Sequence, residues 1–197
     1  MERAAADPGP ERKRALVAAA YERIAEHGFE GLRTRDVAGD VGINIATLHY
    51  YFPTKEALIR AVVGYAMGRF VATIPTEGSG TEVLRGHLQA LARLMKEDSG
   101  LWAVMGELSL RAPRDPELAR IFQQTDHAWH RKLAELLRDA QKDGALTQEI
   151  EPEDAAAAVV ATLKGLSLPT MAGFDPKRVD QVFGQLERWL GLATSTR

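Results

Sequence analysis

The chain has 197 residues, 45% of them hydrophobic and 26% charged, with a net charge of −2 and no cysteine. That composition supports a packed core, and the missing cysteine excludes disulfides, thiolate metal sites, cysteine nucleophiles and thiol redox sensing, which fits a cytoplasmic protein. No apolar run approaches about 18 residues, so no membrane span is expected; the first sixty residues hold nine basic and nine acidic side chains, so nucleic-acid binding would have to be carried by a motif rather than by bulk charge.

The opening MERAAADPGPERKR has charges of both signs and no apolar segment, which reads as a loose arm rather than a signal peptide. Glu11 to His27 follows as a helix, with Leu16, Ala20, Ile24 and His27 on one face and Gly28 as its stop. Thr34 is placed to cap a second, short helix to Val41, with Asp36 in its first turn. Gly42 ends it, Asn44 caps a third helix to Phe52, Pro53 breaks the chain, and Thr54 caps a longer helix through Arg69. TIPTEGSGT, Thr73 to Thr81, is the best linker candidate. Beyond it, helical spacing covers Thr81–Glu97, Leu101–Leu110, Pro116–Lys142, Pro152 to about Leu168, and Val179–Leu190, with a loop from Pro169 to Pro176. No segment alternates as a strand. The fold class is all-α, with about nine helices.

Two short helices around a tight glycine turn are a helix-turn-helix signature, whose second helix enters the major groove. At about 100° per residue, Leu48 and Phe52 share the inner side of Asn44–Phe52, with Tyr51 at its edge. Ala46, Thr47 and Tyr50 point outward, with His49 between and Ile45 on neither side. Small and hydrogen-bonding side chains suit close approach to phosphates and bases.

On these residues the stretch RTRDVAGDVGINIATLHYYFPTKEAL resembles the DNA-binding signature of TetR-type (tetracycline-repressor-like) transcriptional regulators, over roughly residues 11–70. The resemblance implies an N-terminal three-helix helix-turn-helix DNA-binding domain, residues 11–70, followed by a helical domain, 71–197, that binds a small effector and dimerises. It implies a homodimer on a pseudo-palindromic operator, most often as a repressor. By position, Thr34 would bond a phosphate, Ile45, Thr47 and His49 would face bases or sugar, and Tyr50 and Lys55 would grip phosphate. His49 stands where the family most often has tyrosine, and Ile45 where a polar or basic residue is frequent; an isoleucine cannot make a bidentate contact to guanine. Helix N-termini at Thr34, Asn44 and Thr54 offer backbone N–H groups to phosphate, beside Arg33, Arg35 and Lys55, and Arg12, Lys13 and Arg14 form a basic run able to act as an arm.

In the remainder, Met67, Phe70, Trp102, Met105, Phe122, Trp129, His130 and Met171 are the candidate lining of a largely apolar effector pocket; as single residues each also fits plain core packing. Asp126, His127 and His130 form the one cluster with ligand chemistry, but a His-x-x-His with one carboxylate is a weak metal pattern, so no metal and no cofactor is expected. The alternatives to a regulator are an enzyme using Asp126 and His130 as acid and base, unsupported by any nucleophile motif or phosphate loop, and a helical interaction module that no longer binds DNA. For the dimer face, Val159, Leu163, Phe183, Leu186 and Trp189 on the last two helices are the candidates, with Ala155–Ala158 and Ala161 permitting close approach; the competing reading buries these faces in their own domain.

Overall fold

A computed structural model describes residues 8–166 and 176–192 of the chain. Among these residues there are nine α-helices and no strand: α1 Pro8–His27, α2 Thr34–Asp40, α3 Ile45–Tyr51, α4 Lys55–Val71, α5 Gly80–Glu97, α6 Ser99–Arg111, α7 Pro116–Lys142, α8 Pro152–Leu166 and α9 Pro176–Trp189. Two 3₁₀ turns, Phe29–Gly31 and Ala112–Arg114, join α1 to α2 and α6 to α7. None of the described helices is long and apolar enough to cross a membrane.

Local chemistry sets most of these boundaries. Asn44 Oδ1 accepts the Thr47 N–H (2.8 Å) and Thr54 Oγ1 accepts the Ala57 N–H (3.1 Å), so α3 and α4 begin on side-chain caps. Ser79 and Glu82 close a capping box at α5, two residues before the Thr81 start read from the sequence. Asp115 accepts from Glu117 and Leu118, fixing α7 at Pro116. The Thr34 cap does not form. Arg33 occupies the cap position of α2 without a side-chain bond, and Thr34 is the first helical residue. The basic run Arg12–Arg14 is helical rather than an arm, because α1 already begins at Pro8.

Gly42 has φ 71°, the left-handed conformation needed for the chain to reverse between α2 and α3. A Cβ there would touch nothing within 4 Å. The cost of Gly42→Ala is therefore conformational alone, about 1–2 kcal/mol, and an unfolding free energy lowered by that amount is expected from chemical denaturation. Gly80 is required for a different reason: a Cβ there would lie 2.5 Å from Asp139 Cβ and 2.6 Å from its carbonyl carbon, so α5 meets α7 backbone to backbone.

The core of the first part gathers Leu16, Ala20 and Ile24 of α1, Val37 and Ala38 of α2, and Leu48 and Phe52 of the α3 segment, all buried. Arg23 reaches across from α1 to α2, donating to both carboxylate oxygens of Asp40 (2.5 and 2.8 Å). Helix α4 packs on α1 at one end and reaches α6 and α7 beyond it. Among α5 to α9, the closest neighbours are α7 with α8, α5 with α7, and α9 with α5. Helices α8 and α9 thus cover their own domain. Val159, Leu163, Phe183 and Leu186 are all at most 4% exposed, which corrects their reading as an outward face: the apolar stripe of each helix is consumed by α7 or α5. Trp189 alone of that group stays open, at 68%.

Candidate functional site

Among the described residues, two places with the chemistry of a site are joined by helix α4. The first is the outer side of α3. Leu48 (0% exposed) and Phe52 (3%) anchor the segment, and Tyr51 packs partly against the same core. Because those positions recur at helical spacing, the residues between them are turned out. Tyr50 is 81% exposed and its ring stands edge-on to Tyr51 at 5.2 Å; Asn44, Ala46 and His49 are exposed beside it. Ile45, unplaced by the wheel, is exposed at the N-terminal end of this surface. Thr47 is half-buried, its hydroxyl donating to Asn44 Oδ1 (3.0 Å). The Asn44 oxygen is thus committed to the cap, which leaves its NH₂ as the group able to reach out.

Around α3, Arg35 is exposed and Thr34 half-buried at the start of α2. Lys55 is seated against the first turn after α1. Its ammonium lies 4.9 Å from the Phe29 ring centroid, so it is half-buried instead of standing free beside α3. Arg111 of α6 lies over the same ring at 3.8 Å, and Glu107 of α6 accepts the Phe29 N–H (3.1 Å). A second tie runs through Asp98. It caps α6 by accepting the Leu101 N–H, pairs with Arg69 of α4 (2.5 Å) and accepts from the Tyr21 hydroxyl of α1 (3.4 Å). Burial, then the charge of Asp98, pushes the Tyr21 phenol well above its ordinary range, so it stays a neutral donor. These contacts, invisible in any sequence window, fasten α1, the turn after it and α4 to α6.

The second place is a cavity of about 520 Å³ bounded by α4, α6, α7 and α8. Six of the expected lining residues meet there: Met67 and Phe70 from α4, Trp102 and Met105 from α6, Phe122 and Trp129 from α7. The rings touch: Phe70 is 5.6 Å from Trp102, edge-on, and 5.9 Å from Trp129. Met171 lies outside the described residues. His130 does not reach the cavity. One position past Trp129 turns it about 100° around α7, and its Nε2 meets the Glu153 carbonyl of α8 at 3.0 Å.

Asp126 does line the cavity, paired with Lys164 of α8. It stands at i+4 from Phe122, and that spacing would have pointed to it. Asp126 and His130 are therefore engaged with different residues of α8 and do not face a common space as an acid–base pair. Among the described residues no group of three metal-ligating side chains forms. Leu163, expected on the dimer face, instead walls the cavity.

The N-terminal helices match the family model for bacterial regulatory proteins of the tetR family over residues 16–62, and the rest matches the BetI-type transcriptional repressor C-terminal model over residues 80–191. The chain is 26% identical over 141 residues to the HTH-type transcriptional regulator UidR of Escherichia coli K12, covering 72% of this chain and 71% of that protein. It is 24% identical over 176 residues to the HTH-type nicotine-responsive transcriptional repressor HdnoR of Paenarthrobacter nicotinovorans, covering 86% and 89% respectively. In fold it is similar to a TetR transcription regulator from Haloarcula marismortui, with TM-score 0.83 at 21% identity over 92% of this chain and 97% of that one. With its second family model spanning more than half its length, this chain belongs to the TetR family of transcriptional regulators, and its C-terminal part is of the BetI repressor type.

Proposed function

We propose that the protein is a ligand-responsive repressor that binds a pseudo-palindromic operator as a homodimer and leaves it when a small molecule fills the cavity. The single observation that carries this reading is the placement of α4. Its first turn, capped by Thr54, follows directly on the α3 surface, while its last turn supplies Met67 and Phe70 to the cavity wall. A ligand that shifts one end of this helix therefore moves the other.

In this reading residues 11–70 form the DNA-binding unit and 71–197 the effector and dimer unit, with α4 shared. Ile45, Thr47, His49 and Tyr50 face the groove, while Thr34, Arg35 and the Asn44 amide meet sugar and phosphate. Lys55 contributes its charge from its seat over Phe29 rather than as a free arm. The effector is small and largely apolar, as the aromatic and methionine lining favours; Trp102 adds a buried indole N–H that has no partner and would favour a hydrogen-bond acceptor on that ligand. The nicotine response named for HdnoR supports an organic effector. A second copy would cover what the chain leaves open on its last helices, the exposed Ala157, Ala158 and Ala161 of α8 and Gln181 and Trp189 of α9, small enough on α8 for close helix approach.

Selection of bound duplexes from a random DNA pool tests the reading. An inverted repeat is expected, with half-site centres one helical turn apart, about 10 base pairs, or a multiple of that. Enrichment of no motif, or of an unrepeated one, would refute it. Filling the cavity with Met105→Trp is expected to weaken binding of the apolar probe 8-anilinonaphthalene-1-sulfonate by about tenfold or more, leaving affinity for the selected DNA within a factor of about two. Probe fluorescence and DNA anisotropy read the two quantities separately.

A further inference from the structure

His87, at the middle of α5, is the one polar side chain that is wholly buried among the described residues. Both its ring nitrogens are used. Trp129 Nε1–H, which can only donate, points at His87 Nε2 (3.3 Å). Nε2 is therefore the acceptor, the proton sits on Nδ1, and Nδ1–H donates to Thr73 Oγ1 (2.8 Å). With that lone pair occupied, the Thr73 hydroxyl donates onward to the Phe70 carbonyl (2.6 Å). The tautomer and the direction of all three bonds follow from the one donor-only group at the start. The Trp129 ring also stands edge-on to His87, with centroids 6.5 Å apart.

The path closes on itself. It starts at a cavity wall residue, Trp129, runs through the interior of α5, and ends on Phe70, which is both a cavity wall residue and part of the last turn of α4. We propose that this chain of hydrogen bonds from Trp129 through His87 and Thr73 to Phe70 is the element that reports cavity occupancy to α4, with His87 as a positioning residue. It rests on the reading of the cavity as the effector site. The physical reason is exclusion of water. His87 has no solvent contact, so a ligand that turns Trp129 away leaves an imidazole nitrogen with no substitute partner. The lower-energy response is for the Trp129 ring, His87 and the segment after α4 to move together. The Phe70–Trp129 ring contact (5.9 Å) also joins the two elements, but an apolar contact can slide, whereas the buried imidazole cannot give up its donor without cost.

Hydrogen exchange on the full chain tests this with 8-anilinonaphthalene-1-sulfonate as the cavity probe. The reporters are the amides of Ala72, Thr73 and Ile74, which bond to the Gly68, Phe70 and Val71 carbonyls at the end of α4. Saturating probe is expected to change their exchange rates about threefold or more. Thr73→Val deletes the hydroxyl at nearly constant shape; this variant is expected to bind the probe and to lose that change, and Thr73→Ser is expected to restore it. A wild type whose amides ignore bound probe, or a Thr73→Val protein that responds in full, would overturn the relay while leaving the cavity reading intact. Probe binding that Met105→Trp leaves unaltered would overturn the cavity reading, and the relay with it.

Discussion

Replacing Thr47 and Tyr50 together by alanine is expected to lower affinity for the selected operator roughly 100-fold, from two lost hydrogen bonds to charged or polar groups of the duplex at about 1.4 kcal/mol each. The fold should be indifferent to the change. Tyr50 is 81% exposed and contributes only an edge contact to Tyr51. The Thr47 hydroxyl donates to Asn44, but the cap itself uses the Thr47 backbone N–H, which alanine retains. The thermal midpoint should therefore stay within a few degrees of wild type, since exposed substitutions cost about half a kcal/mol or less. Leu48→Ala is the contrasting control. Leu48 is fully buried beneath the same helix, so it should lose about 2–5 kcal/mol of stability and bind DNA poorly only because α3 is no longer held. Operator affinity of the double variant equal to wild type, measured by anisotropy at fixed salt, would remove α3 from the interface.

Lowering the pH from about 6.5 to 4 should destabilise the folded chain through His87 by about 3 kcal/mol. Burial pushes this imidazole down from 6.5 to about 4, with the hydrogen bond to Thr73 offsetting part of the effect. Unfolded, the same ring takes up a proton as pH falls through 6.5. Between the two values the unfolded state binds more protons, so acid favours unfolding, and the loss is complete below about 4. Above pH 6.5 both states are neutral at this position and it contributes no slope. The measurement is urea unfolding at several pH values for wild type and His87→Gln. The variant is expected to be less stable at neutral pH, because Thr73 and Trp129 lose a fitted partner, yet to show a shallower decline on acidification. Parallel declines would mean that His87 is not held neutral by its surroundings.

Much of this protein follows from short stretches of its chain. Asn44 and Thr54 cap helices because their side chains lie three residues from the N–H groups they satisfy, and Pro116 opens α7 wherever that segment is placed. The division of α3 into a buried side, Leu48 and Phe52, and an outward side, His49 and Tyr50, needs only the helix period. So does the cavity face of α7, where Phe122, Asp126 and Trp129 recur one turn apart. The tertiary structure decided what period cannot address: which partner each face meets. Periodicity marks Val159, Leu163, Phe183 and Leu186 as apolar faces, and long-range packing on α7 and α5 spends them within the chain, leaving Trp189 and the alanines of α8 outside. The charge of Lys55 is plain in the sequence, but its seat over Phe29, beside Arg111 from a helix more than fifty residues away, is not. His87 is the clearest case. Read along α5 it is one histidine among leucines, and only the convergence of Trp129 and Thr73 on its two nitrogens, from 42 and 14 residues distant, gives it a fixed tautomer. Hydrogen bonds at those separations depend on which helices the hydrophobic core brings together, and no local rule of spacing encodes that.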